Sequence, residues 1–162
     1  MLKIGKLQVK SGLVLSPMAG ISDLPFRLLN RKFGAELGFI EMINCRSISH
    51  KSKRTICMLS SVSQDKPLGI QLLGCEEKYI LKALDMLKDY KFDILDFNAA
   101  CPAKKVVRRG EGSSLLKDPK KLHKLLKLIA KSVKVPFTVK IRAGWDKGSI
   151  NAKEVADRKS VV

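Results

Sequence analysis

Asn98, Cys101 and Lys104 stand in DFNAACPAKKVVRRGEGSSLLKDP, residues 96–119, where an apolar run gives way to a thiol, a proline and a set of basic side chains. A thiol at the end of a buried strand can serve as nucleophile, as acid or as inert packing. A nucleophile wants a base beside it, but the two histidines, His50 and His123, fall in irregular sequence and on a Lys-rich helix. A proton donor needs no such partner, because a free thiol, with a pKa of about 8.5, is protonated at neutral pH. The following KKVVRRGEGSS reads as a flexible basic loop whose glycines and serines can approach phosphates.

Two further residues break apolar runs. Lys140 in TVKIRAG is costly inside a strand unless it meets an anion, so it is read as touching a negatively charged ring or phosphate, with Arg142 reaching a second anion. Gln71 in GIQLLG offers both a donor and an acceptor, which suits the edge of a heterocycle. The other cysteines, Cys45, Cys57 and Cys75, form no CxxC pair and have no histidine at ligand spacing. No disulfide framework and no metal site is expected, and Cys57 and Cys75 are read as small core hydrophobes.

These residues need elements to carry them. Short apolar runs at 13–16, 39–43, 68–73, 92–100 and 137–144 read as strands. Between them, amphipathic segments begin near Asp23 and span 76–90 and 118–133, the first with Pro25 in its opening turn and the last with an Asp cap and Pro119. Segment 44–66 shows no clear period, and the opening KIGKLQVKSG is expected to form a hairpin with the first strand. Repeated β-α units without antiparallel punctuation mean a parallel sheet covered by helices. Special residues follow nearly every strand: Pro17, Met18 and Ala19 after the first, Glu41 near the second, Gln71 in the third, Asn98 and Cys101 at the fourth, Lys140 and Arg142 at the fifth. That distribution marks a (β/α)8 TIM barrel, whose site is built from many loops. A doubly wound sheet concentrates its site at one switch point, usually behind a glycine-rich turn, and SPMAGIS has no GxGxxG.

A barrel takes about 250 residues, and 162 residues hold only about the first five β/α units. With 45% apolar and 29% charged residues the chain is globular rather than disordered. No apolar run approaches the roughly 20 residues of a bilayer span, and the start has no signal-peptide core, so a cytoplasmic protein without membrane attachment is expected. The formal charge of +17 is uneven: 13 Lys or Arg against two acids lie between Cys101 and Arg142. A polyanionic partner follows from such a field.

LSPMAGISDLPFR (15–27), GFIEMI (38–43), PLGIQLLG (67–74), DFNAACPAKKVVRRGEGSSLLKDP (96–119) and VPFTVKIRAGWD (135–146), in that order, resemble the bacterial-type tRNA-dihydrouridine synthases. The Asn-x-x-Cys-Pro-x-x-Lys piece is the most specific. The resemblance implies an FMN-dependent TIM barrel, monomeric, followed by a helical tRNA-binding domain. FMN would meet Pro17, Met18, Ala19, Gln71 and Lys140, and NADPH or NADH would reduce it. Hydride would pass to C6 of a uridine flipped out of the tRNA, and Cys101 would protonate C5, giving 5,6-dihydrouridine. Asn98, Lys104, Arg109 and Arg142 would contact flavin or nucleotide. Ala100 stands where the family commonly has Gly before the Cys.

Residues 1–156 accordingly read as the N-terminal part of the barrel. The closing DRKSVV, residues 157–162, matches the translation of a common sequencing adapter and reads as a non-native tail. The C-terminal barrel half and helical domain are expected to lie outside these residues, leaving the chain by itself inactive. Two alternatives stay open: an FMN barrel of the dihydroorotate-dehydrogenase kind, which would share Lys140 and Gln71, and a non-catalytic RNA-binding module.

Overall fold

The computed structural model describes residues 1–160, with side chains to Asp157. The hairpin at the start pairs with itself: β1 (Leu2–Ile4) lies antiparallel to β2 (Leu7–Val9), and neither joins the main sheet. That sheet begins with β3 (Val14–Leu15), followed by α1 (Leu24–Lys32). The Asp23 carboxylate accepts the Phe26 N–H at 2.9 Å and Pro25 sits in the first turn, which is why α1 starts there.

The second strand, expected over 39–43, is split into β4 (Leu37–Phe39) and β5 (Ile43–Asn44). The chain turns aside between them, and Glu41 there accepts the Gly20 N–H. Segment 44–66 holds two short helices, α2 (Cys45–Ser49) and α3 (Lys53–Met58). Then come β6 (Leu68–Leu73), α4 (Glu77–Leu87), β7 (Ile94–Asn98), α5 (Lys104–Val107), a 3-10 turn over Gly112–Lys117, α6 (Pro119–Ser132), β8 (Phe137–Lys140) and α7 (Ala152–Ser160). The fifth strand stops at Lys140 rather than Gly144 because β7, its only partner among the described residues, ends opposite at Asn98. Of the tail expected at 157–162, Asp157–Ser160 continue α7, and Val161 and Val162 lie outside the described residues.

Every pairing in the main sheet is parallel, and the order β3-β4-β6-β7-β8, with β5 also on β6, follows the chain without reversal. A doubly wound sheet reverses its strand order at the switch point; a barrel winds in one direction. The fold is a parallel β/α array, part of a barrel, with β3 and β8 as its edges.

The two faces of the strands differ in chemistry. On one face Leu68, Ile70, Leu72, Leu95 and Phe97 pack with α2, α4 and α6 into the main core. The other face alternates with it: Phe39 lies against Gly69 near the strand beginnings, and Gln71, Asp96, Asn98, Thr138 and Lys140 follow toward the strand ends. At the beginnings, Val9, Leu37, Phe39 and Ile94 form a second cluster, against which the hairpin's Ile4 and Leu7 close. One pole of the sheet is therefore sealed by apolar side chains and the other opens onto polar ones.

Arg27 is fully buried, which the apolar periodicity of α1 concealed. Its guanidinium bonds Asp65 at 2.8 Å, the Ser22 carbonyl at 2.8 Å and the Ser60 carbonyl at 2.9 Å. Arg31 takes the other Asp65 oxygen at 3.0 Å and donates to the carbonyls of Glu36, Lys66 and Pro67. A buried charge persists when paired and fully hydrogen-bonded, as here. Cys57 departs from expectation: it is exposed on α3, and Cys75 is half-buried; Cys45 is the core cysteine. No described helix is long and apolar enough to cross a membrane, and among the described residues no group of three His, Cys, Asp or Glu could hold a metal ion.

Candidate functional site

The polar face of the sheet is one continuous hydrogen-bonded layer. Thr138 Oγ1 donates to Asp96 Oδ1 at 2.7 Å, and Gln71 Nε2 donates to Asp96 Oδ2 at 2.7 Å. Asn98 Nδ2 donates to Gln71 Oε1 at 2.8 Å, and Asn98 Oδ1 accepts the N–H groups of Ala100 at 3.0 Å and Cys101 at 2.9 Å. The order of donors follows from the carboxylate, which only accepts when ionised. It turns the Gln71 nitrogen toward Asp96, hence the Gln71 oxygen toward Asn98, hence the Asn98 oxygen toward the turn carrying Cys101. Burial pushes the Asp96 carboxyl above the usual range, partly opposed by the bonds from Thr138 and Gln71 and by the Lys140 charge.

Above this layer opens a cavity of about 300 Å³ lined by Pro17, Ala19, Met42, Gln71, Asn98, Ala100, Cys101, Pro102 and Lys140. The sequence-predicted Pro17, Ala19, Gln71, Asn98, Cys101 and Lys140 are thus brought together, from four strand ends. Lys140 is exposed rather than enclosed in an apolar strand, since β8 is an edge and its side chain reaches the cavity from the rim. Met42, whose sulfur lies 3.1 Å from Asn98 Nδ2, was not anticipated.

Four predicted residues lie elsewhere. Met18 is half-buried in a turn, its N–H donating to Ser22 Oγ at 2.9 Å and its carbonyl accepting from Ile21 and Ser22. Lys104 is exposed at the start of α5, Arg142 is exposed beyond β8, and Arg109 lines a different cavity. The segment 101–113 is a packed structure rather than a flexible loop. Val106, Glu111, Gly112 and Ser113 are buried, and the Ser113 N–H donates to the Cys101 carbonyl at 3.0 Å. Gly112 is required there: its φ is +61°, and a Cβ would come within 2.6 Å of the Cys101 carbonyl oxygen.

Asp96 and Thr138 escaped the reading from residues, although the signal was present. Gly69-x-Gln71, Asp96-x-Asn98 and Thr138-x-Lys140 all place their residues two apart, on one face of a strand.

The sequence profile of the Dihydrouridine synthase (Dus) family matches residues 14–160. The chain belongs to that family. It is 40% identical over 157 residues to a probable tRNA-dihydrouridine synthase of Rickettsia bellii (strain RML369-C), covering 96% of this chain and 48% of the relative. It is 38% identical over 155 residues to tRNA-dihydrouridine synthase B of Pasteurella multocida (strain Pm70), covering 96% of this chain and 47% of the relative. The chain spans about half the length of the curated relatives it matches. Family membership, a TIM-barrel family, agrees with the one-directional parallel sheet and decides against the dihydroorotate-dehydrogenase alternative.

Proposed function

We propose that these residues form one wall of the active site of an FMN-dependent tRNA-dihydrouridine synthase, which reduces uridine to 5,6-dihydrouridine with NADPH or NADH. The observation that carries this reading is the single cavity in which Cys101 faces Gln71, Lys140, Pro17 and Ala19. Its residues fit a flavin. Pro17, Ala19, Met42 and Ala100 offer small or apolar walls to a planar ring, while Gln71 and Lys140 offer donors to the ring's electron-rich edge. When bound, FMN supplies the hydride that goes to C6 of the uracil.

The chain's own residues do the rest. Cys101 delivers its thiol proton to C5 as the S–H bond breaks and a C–H bond forms. The resulting thiolate, half-buried at an open rim, regains a proton from solvent. Asn98 positions the thiol by holding the Ala100 and Cys101 N–H groups, and the basic surface attracts the tRNA backbone. A uridine must leave the base stack to reach such a cavity.

The test is Cys101→Ala in the complete gene product, read by dihydrouridine content of tRNA, flavin absorbance and tRNA affinity. Loss of dihydrouridine with flavin and tRNA binding retained is expected. Unchanged dihydrouridine removes the donor role, and a product that binds no flavin removes the reading altogether.

A further inference from the structure

A second cavity, of about 520 Å³, opens behind the segment that carries Cys101, lined by Asn44, Arg46, Ser47, His50, Glu76, Arg109 and Glu111. The two are joined through the chain, because residues 112 and 113, which follow Glu111 of this lining, lie directly against the Cys101 carbonyl. Two guanidinium groups and an imidazole stand at its exposed rim. Arg46 is stacked over the Tyr79 ring at 5.2 Å, beside Lys78 at 4.8 Å, with His50 tilted against the same ring at 5.8 Å. A guanidinium held over a ring is partly ordered before a phosphate arrives.

The inner wall differs in chemistry. Glu111 is only 6% exposed and lines the cavity. Asn44 Nδ2 donates to both of its oxygens at 3.0 Å, while Asn44 Oδ1 accepts the N–H groups of Arg46 and Ser47, which fixes the amide. No ion pair among the described residues reaches Glu111. Both oxygens are already engaged by Asn44, and each keeps a further lone pair, so a carboxylate that lines the cavity can also accept from a ligand hydroxyl. Glu76, at the exposed rim, is engaged by Lys78 at 3.7 Å. A ligand that matches both walls is anionic at the rim and carries hydroxyl donors further in.

We propose that this cavity is a ribonucleotide subsite for the strand adjoining the uridine in the Cys101 cavity, with Arg46 and Arg109 on a phosphate and Glu111 accepting from a ribose hydroxyl. The proposal rests on the reading of the substrate as RNA. It adds to that reading a place for the neighbouring nucleotide, and it makes the Cys101 segment a partition between two adjacent nucleotides of one strand. The 2′-hydroxyl is the group by which a protein distinguishes RNA from DNA at such a contact.

The test is fluorescence anisotropy of a labelled oligouridylate with the complete gene product across a salt series, folding of each variant being checked by circular dichroism. One phosphate contact to a single strand contributes about 0.7 to the slope of log K against log salt. Arg46→Ala with Arg109→Ala is expected to lower the slope by about that amount. A control pair, Lys88→Ala with Lys134→Ala, removes equal charge from a groove at the opposite pole and leaves the slope unchanged. The unaltered chain is expected to bind oligouridylate more tightly than oligodeoxyuridylate, and Glu111→Ala to narrow that difference. Absence of binding, or equal effects of the two pairs, overturns the proposal. Equal affinity for the two oligomers overturns the role of Glu111. FMN titration of the same preparations reports separately on the flavin reading: flavin binding without oligonucleotide binding sinks the subsite alone.

Discussion

Asp96→Leu and Asp96→Asn keep the same branched outline of four side-chain heavy atoms, leucine being the bulkier, and differ in what they offer Gln71 and Thr138. With leucine, two donors lose their acceptor. Thr138 Oγ1 can fall back on the Leu95 carbonyl, already 3.5 Å away, but Gln71, only 1% exposed, has no such recourse for Nε2. A buried unsatisfied donor costs about 1–3 kcal/mol, so Asp96→Leu is expected to destabilise by about that much. With asparagine, the side-chain oxygen still accepts from Gln71, and Thr138 can turn its hydroxyl to Leu95 and accept from the new amide. The expected cost is under about 1 kcal/mol, the worth of one ordinary hydrogen bond.

The two proteins also differ in pH dependence. Burial raises the Asp96 carboxyl above its ordinary value, so the folded chain holds that proton at a pH where the unfolded chain has lost it. Stability then rises as pH falls from above the folded value toward the unfolded value of about 3.9. Asp96→Asn lacks this contribution, so the wild type should gain on it as the pH is lowered toward 4. Urea unfolding followed by the fluorescence of the single tryptophan, Trp145, measures both effects. Equal losses for Leu and Asn, or a wild type that loses ground to Asn on acidification, would refute the polarity assigned to the layer.

Asp65→Ala leaves the buried Arg27 and the mostly buried Arg31 facing an absent acceptor, and should cost about 3–5 kcal/mol in the same urea experiment. The thiols should separate by reactivity toward a chromogenic disulfide in the native state. Cys57, exposed, reacts first; Cys45, fully buried and with its thiol pushed well up by that burial, reacts only on unfolding. Native-state labelling of Cys45 at the rate of Cys57 would contradict the packing of α2.

The elements most legible in the sequence are those whose local and tertiary signals agree. Leu68–Leu73 lies in the middle of the sheet and is buried throughout, so its apolar run is the strand. Pro119–Ser132 starts where Asp118 accepts the Lys121 N–H at 3.0 Å and Pro119 follows, as the cap pattern predicts. Helices α2 and α3, five and six residues long, are too short to show a period. The basic stretch after Cys101 looked mobile by composition; the burial of Val106 and the close approach of Gly112 to Cys101 make it a packed wall. Lys140 was legible as a polar residue on the cavity side of its strand and not as an exposed one, because exposure depends on which strand forms the edge. Asp96 lay hidden between apolar neighbours that face the helices, while it faces the other way.

The Arg27–Asp65–Arg31 cluster touches no residue of either cavity, yet through Ser22 it is linked to the turn at Met18, between Pro17 and Ala19. One anion, some fifty positions further along the chain, thereby governs where the first rim of the Cys101 cavity can stand. Drift at position 65 would consequently register in the shape of that cavity without any change in a residue that lines it.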